Sequence, residues 1–248
     1  MYSWESFEHI YSINSEGKDM QFRFVPAQNT PEKAPTMIIL HGHGNYPPAR
    51  FVHPDWNVFN PLDNFGEQGY GSWWLGEDGD YFTMRLFDIA LSSALSRVGQ
   101  NKDTAQLFMY GSSMGGYGVL LHGSRIGAKG VYANVPQVKL LDSTYSELGM
   151  KRYFAPIFSE SRRDIHNNMV DYLAQFNNHP LYFICENRFG QNDYLAEQCM
   201  SLVDFFNKNE INYHLEIIPT KGHNKNRKLS EVKKMFELYC CMDDNAAN

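Results

Sequence analysis

Cysteine is scarce, with Cys185, Cys199, Cys240 and Cys241 the only four in 248 residues. None stands in a CxxC spacing, so the sequence encodes neither a disulfide framework nor a thiolate metal cage, and structural thiols are expected. A basic surplus is also missing. The 22 Lys and Arg residues face 28 Asp and Glu, a formal charge of -6, and the cations are scattered rather than striped. Such a field does not attract phosphate backbones, so no nucleic-acid partner is expected. Nor does any apolar run approach the roughly 20 residues that cross a bilayer. Residues 1–10 carry Glu5, Glu8 and His9 where a secretory signal is basic and then apolar, which points to the cytoplasm. Internal repeats and low-complexity tracts are absent, and only 243–248 reads as a flexible tail.

What remains is a globular composition. Hydrophobic residues make up 43% of the chain and aromatic residues 15%, enough to fill a core. The length suits one large α/β domain over residues 1–242. Residues 7–13 and 20–25 flank a turn-like stretch and predict an antiparallel pair at one sheet edge. Strands are further predicted at 37–40, 106–110, 130–134, 181–185 and 213–218, and helices at 81–98, 117–124, 194–207 and 226–241. This alternation implies right-handed crossovers and a mainly parallel sheet covered on both faces, with reactive groups gathered at the carboxyl ends of the strands.

At the end of the strand predicted at 106–110 stands Gly111-Ser112-Ser113-Met114-Gly115, a G-x-S-x-G nucleophile elbow. The turn is tight enough that side chains at either glycine would collide with neighbouring backbone. A serine hydroxyl needs a base to take its proton. His223 follows the last predicted strand and is the candidate, in the order serine, acid, histidine. The acid is expected after the strand at 181–185, where Asp193 is favoured and Glu186 held in reserve. Backbone NH groups of Met114 and of His43, in His41-Gly42-His43-Gly44, would form the oxyanion hole. An H-x-H pair without a third ligand does not make a metal site, and no metal is expected.

Two segments are candidates for the substrate site. Residues 46–82 hold ten aromatics among glycines and prolines, a composition that suits either a carbohydrate platform or a local core. Substrate contacts are assigned to His41, Gly42, Gly44, Trp73, Trp74 and Tyr117. Residues 139–178, between the strands at 130–134 and 181–185, form a cap insertion whose Lys151, Arg152, Arg162 and Arg163 read as an anion site or a solvated face.

Residues 111–118 resemble the serine esterases of the α/β-hydrolase superfamily, and the topology implied covers nearly the whole chain. The same elbow followed by Ala133-Asn134-Val135-Pro136-Gln137-Val138-Lys139-Leu140 is similar to bacterial capsule-polysaccharide O-acetyltransferases of that fold. The resemblance implies an acyl-serine intermediate and, for a transferase, acetyl coenzyme A as donor to a sugar hydroxyl. The first expectation is a carboxylesterase or deacetylase acting without a cofactor on an acylated carbohydrate or small ester. The alternatives are the transferase and a non-catalytic carbohydrate-binding protein on the same scaffold.

Overall fold

The computed structural model describes residues 4, 7–44, 47–159, 164–190, 194–223 and 226–240. Strands β1 (Ile10–Ser15) and β2 (Lys18–Val25) form a hairpin in which Ser15 pairs with Lys18. The two residues between them, Glu16 and Gly17, have φ of 55° and 74°, the left-handed pair that a tight twisted hairpin requires. Next come β3 (Thr36–Leu40), β4 (Asn57–Pro61), β5 (Leu107–Ser112), β6 (Gly130–Asn134), β7 (Leu181–Phe189) and β8 (Tyr213–Lys221). All eight belong to one sheet in the order β1-β2-β4-β3-β5-β6-β7-β8. Strand β2 runs antiparallel to both its neighbours, and the pairs from β4 to β8 are all parallel. This is the mixed sheet with a hairpin edge that the sequence predicts.

The helices are α1 (Phe82–Ser96), α2 (Met114–Gly123), α3 (Lys151–Phe154), α4 (Met169–Leu173), α5 (Ser201–Lys208) and α6 (Leu229–Cys240). They divide between the sheet's two faces. Phe87 and Leu91 of α1, Tyr117 of α2 and Phe206 of α5 share a core with Phe22, Phe59 and Met109. Val232 and Phe236 of α6 pack against Met37, Phe108 and Phe183 on the other face. Burying a side chain of this size removes apolar surface worth roughly 1.5–3 kcal/mol, so a buried strand such as β3 needs cover on both faces.

One strand was not predicted. The aromatic segment at 46–82 contains β4, whose five residues are all buried. Asn57 opens it, and its side chain accepts from the Ala27 NH at 2.8 Å and donates to Pro31 O and Ala34 O. An asparagine in a strand is tolerated here because the amide ties down the loop leading into β3.

The 139–178 insertion is a set of short helical turns, including a π-type turn at Ser146–Met150. Its Leu140, Phe154, Met169 and Leu173 join the main core. Lys151 pairs with Glu147 at 3.3 Å on an exposed surface, a solvated face rather than an anion site. Arg152 donates to Tyr153 Oη at 2.6 Å. Arg162 and Arg163 lie outside the described residues. Among those described, no helix is long and apolar enough to cross a membrane.

Candidate active site

Ser113 stands between β5 and α2 with φ 58° and ψ -121°. A non-glycine residue pays roughly 1–3 kcal/mol for such a conformation, and the surroundings enforce it. A Cβ at Gly111 would lie 2.0 Å from Gly115 O, and one at Gly115 would lie 2.3 Å from Leu40 O. The two glycines let the elbow close against β3. The Ser113 NH donates to Asn134 O at 2.9 Å, pinning the turn to β6. The NH of Met114, in the first turn of α2, is a donor that the helix cannot pair internally.

Gln137 is fully buried beside the nucleophile, and the sequence reading gave it no role although it lies in the 133–140 stretch. Its Nε2 donates to Ser113 Oγ at 3.1 Å and to Tyr194 Oη at 2.9 Å, while Oε1 accepts from Trp73 Nε1 at 3.2 Å. Tyr194 Oη in turn donates to Val135 O at 3.0 Å. The amide is held in one orientation, with an NH aimed at the serine oxygen.

The His41–Gly44 loop leaves β3 against the elbow. Gly42 sits so close that a Cβ there would be 3.2 Å from Ser112 O. His41 Nε2 accepts the Asp63 NH at 2.9 Å, which puts the ring proton on Nδ1, where it faces Gly42 O at 2.8 Å. Burial pushes this imidazole down to about 4, so it stays neutral. With both nitrogens occupied, His41 shapes the loop rather than offering a bond to substrate. Asp63 braces the far side by accepting from Ser72 N and Trp74 N, both at 2.8 Å, and desolvation raises its carboxyl to about 6. Gly44 donates its NH to Tyr70 O at 2.8 Å. The His43 ring stacks on Trp73 at 5.1 Å and meets Tyr153 edge-on at 4.3 Å. Desolvation, and then the Arg152 charge, lower its pKa.

His223 follows β8 in a loop that β7 anchors. Asn187 Nδ2 donates to Gly222 O at 3.0 Å, Asn187 Oδ1 accepts from Thr220 Oγ1 at 2.6 Å, and the Gly222 NH reaches Phe189 O at 3.1 Å. The imidazole lies 5.5 Å from the Tyr194 ring and 6.3 Å from Tyr145, centroid to centroid. It keeps an exposed face, yet the protein crowding the ring disfavours its charge and pushes its pKa down to about 4. Asp193 lies outside the described residues. Glu186 is buried on β7, where Oε1 accepts the Asn187 NH at 2.8 Å and Oε2 has no partner. Desolvation raises its pKa to about 8, which favours the neutral acid in the absence of a neighbouring cation.

Ser113, His223, His41, Gly42 and His43 line one cleft of about 540 Å³, with Tyr145 and Met150 of the insertion at its side. Four expected substrate contacts, Gly44, Trp73, Trp74 and Tyr117, are not among the described residues that line it. Trp73 and Trp74 have 0% exposure, and the Trp74 ring is pressed on Gly118, where a Cβ would fall 2.3 Å from Cδ1. Tyr117 is equally buried and donates to His166 O at 2.5 Å, tying α2 to the insertion. These rings are core, because α2 and the insertion close over them. Of the two readings of residues 46–82, Trp73 and Trp74 follow the local core. No group of three or more His, Cys, Asp or Glu able to hold a metal occurs among the described residues.

No protein-family model and no curated protein sequence matches the chain. Solved structures do. The S-formylglutathione hydrolase of Agrobacterium tumefaciens superposes with a TM-score of 0.66 at 16% identity, over 87% of each chain. The capsule O-acetyltransferase of Neisseria meningitidis serogroup A gives 0.61 at 18% identity, over 91% of this chain and 95% of the other. An acylaminoacyl peptidase of Pyrococcus horikoshii gives 0.71 at 11% identity, but this chain spans only 41% of its length. At 35%, the chain spans still less of the dipeptidyl peptidase 4 of Porphyromonas gingivalis. Such identities carry architecture alone. The strand order, the elbow after β5 and the histidine after β8 agree with it: this chain has the α/β-hydrolase fold.

Proposed function

We propose that the protein carries out acyl-ester chemistry through an acyl-Ser113 intermediate, acting as a carboxylesterase or deacetylase on an acylated carbohydrate or small ester. The observation that carries this reading is the strained Ser113, with a donor held on its Oγ, in the same cleft as a neutral histidine. Ser113 Oγ attacks the acyl carbonyl carbon as His223 takes its proton. The carbonyl oxygen becomes an oxyanion that the NH groups of Met114 and His43 receive. Collapse forms the acyl–Oγ bond and breaks the carbonyl–oxygen bond to the leaving alcohol, which takes the proton from His223. A water then repeats the cycle, leaving an acid and the restored serine. Asp193 is the acid assigned to the imidazolium, in preference to Glu186, whose desolvated carboxyl favours the neutral form.

The second reading replaces water with a sugar hydroxyl and takes its acyl group from acetyl coenzyme A. The nearly end-to-end likeness to the capsule O-acetyltransferase supports it. Burial of Trp73 and Trp74 weighs against a non-catalytic carbohydrate-binding role. Mass spectrometry after exposure to a fluorophosphonate, and separately to acetyl coenzyme A with and without oligosaccharide, tests these readings. The expected result is a phosphonylated Ser113 and loss of the label in Ser113→Ala, with at least about 1000-fold lower esterase activity. A label retained in that variant would sink the nucleophile.

A further inference from the structure

The cleft keeps an open hydroxyl on the side of the insertion. Other polar groups in its wall are satisfied or sealed: His41 has both ring nitrogens occupied, and Ser112 Oγ accepts from Asn134 at 2.9 Å. The side-chain amide of Asn60 and the Nε2 of His43 are closed off by the protein around them. Tyr145 differs. It lines the cleft half-buried, and its Oη remains open, with no hydrogen-bond partner among the described residues.

The segment that carries this tyrosine is firmly held. The Thr144 NH meets the Glu197 carboxylate at 2.9 Å, and the Ser146 NH meets Ser143 Oγ at 3.0 Å. The Tyr145 ring packs edge-on against Tyr194 at 5.3 Å, and Tyr194 bonds the same Gln137 amide that reaches Ser113 Oγ. Burial pushes the phenol pKa up, so at neutral pH the hydroxyl both donates and accepts.

Which part of a substrate meets it is set by the base. The Tyr145 ring lies nearly parallel to the His223 imidazole, at 18° and 6.3 Å between centroids. In acyl transfer that imidazole hands its proton to the leaving oxygen, so the leaving alcohol passes beside it. Its arrival strips water from the phenol. An alkyl chain leaves that hydroxyl unpaired, whereas an alcohol bearing further hydroxyl groups completes it.

We propose that Tyr145 is a specificity-determining contact on the alcohol side, its phenol bonding a second hydroxyl of the leaving alcohol, and that the substrate is an ester of a polyol. The inference rests on the acyl-serine reading of Ser113 and narrows the substrate class which that reading leaves open.

A pair of esters of equal shape tests it. With the acyl part held as acetyl, glycerol 1-acetate is compared with 2-methylbutyl acetate, in which methyl groups replace both hydroxyls. Wild-type protein is expected to favour the polyol ester about tenfold by kcat/KM. Tyr145→Phe keeps the ring and removes the hydroxyl, and the ratio is expected to fall about tenfold. Any difference in leaving-group acidity is common to both proteins, so the change of ratio is what counts. The melting temperature should hold, because no protein partner of the hydroxyl is lost. Equal use of the two esters by wild type, failure to use either, or a ratio unchanged in Tyr145→Phe would overturn the assignment. Fluorophosphonate labelling of wild type keeps the two readings apart. A labelled protein without the preference loses only the Tyr145 contact, whereas an unlabelled one loses the nucleophile as well.

Discussion

The elbow and the loop after β8 contribute to the same cleft but are built differently. Around Ser113 the fit is close and local: Gly111 and Gly115 allow backbone contact that any Cβ would block, and the serine NH and Oγ both have partners. His223 keeps an exposed face and is reached through its loop, which Asn187 holds by two hydrogen bonds where the β7–β8 register shifts between Asn187 and Phe189. Such an irregularity re-aims the end of a strand. A nucleophile can thus be fixed by a few consecutive residues, whereas its base depends on how two distant strands are paired.

That contrast can be broken first at the acid. Asp193→Asn is expected to lower kcat about 10³- to 10⁴-fold, the scale of losing the group that orients the base. It should also move the pH profile. His223 must be neutral to accept a proton, and crowding alone holds its pKa near 4. A carboxylate partner stabilises the charged ring and raises that value, so the acid limb of kcat/KM in wild type should lie between about 4 and the ordinary 6.5. In Asp193→Asn the limb should fall toward 4. An unmoved limb, with Glu186→Gln shifting it instead, would transfer the role to Glu186.

On the elbow side, Gln137→Leu is expected to cost about 10- to 100-fold in kcat, because the donor that orients Ser113 Oγ for attack is lost. It also strands Trp73 Nε1, a destabilisation of about 1–3 kcal/mol readable in a denaturant titration. A loss in KM with kcat intact would make Gln137 a binding group. The smallest effect is expected at Asn187→Ala, which releases Gly222 O and Thr220 Oγ1 but leaves the Gly222–Phe189 bond. A fall in kcat of up to about tenfold, with about 1–2 kcal/mol of stability, would show the loop to be held by several contacts. A loss as large as that of Asp193→Asn would show that a single amide positions the base.

The legible parts of the sequence were those in which one local pattern decides the outcome. The apolar runs at β3 and β5 and the spacing of Phe82, Leu86 and Ala90 in α1 leave little choice of structure, and Gly111–Gly115 admits only a tight turn. Strand β4 was hidden because Asn57, Asn60 and Pro61 are poor strand formers, and the bonds that make Asn57 tolerable come from the loop between residues 27 and 34. Trp73 and Trp74 looked like a platform since neither has a periodic neighbourhood; the cover that buries them arrives from α2 and the insertion. Gln137 gave no signal of its own. An amide becomes part of a site only when Trp73, Ser113 and Tyr194 converge on it.

The brace at Asp63 bears on how the cleft meets its ligand. Because the Asp63 NH holds the His41 ring, which in turn faces Gly42 O, and the Asp63 carboxylate holds Ser72 and Trp74, the loop beside the nucleophile is preorganised. Affinity need not be diverted into ordering it, and solvent need not rearrange around it as the reaction proceeds.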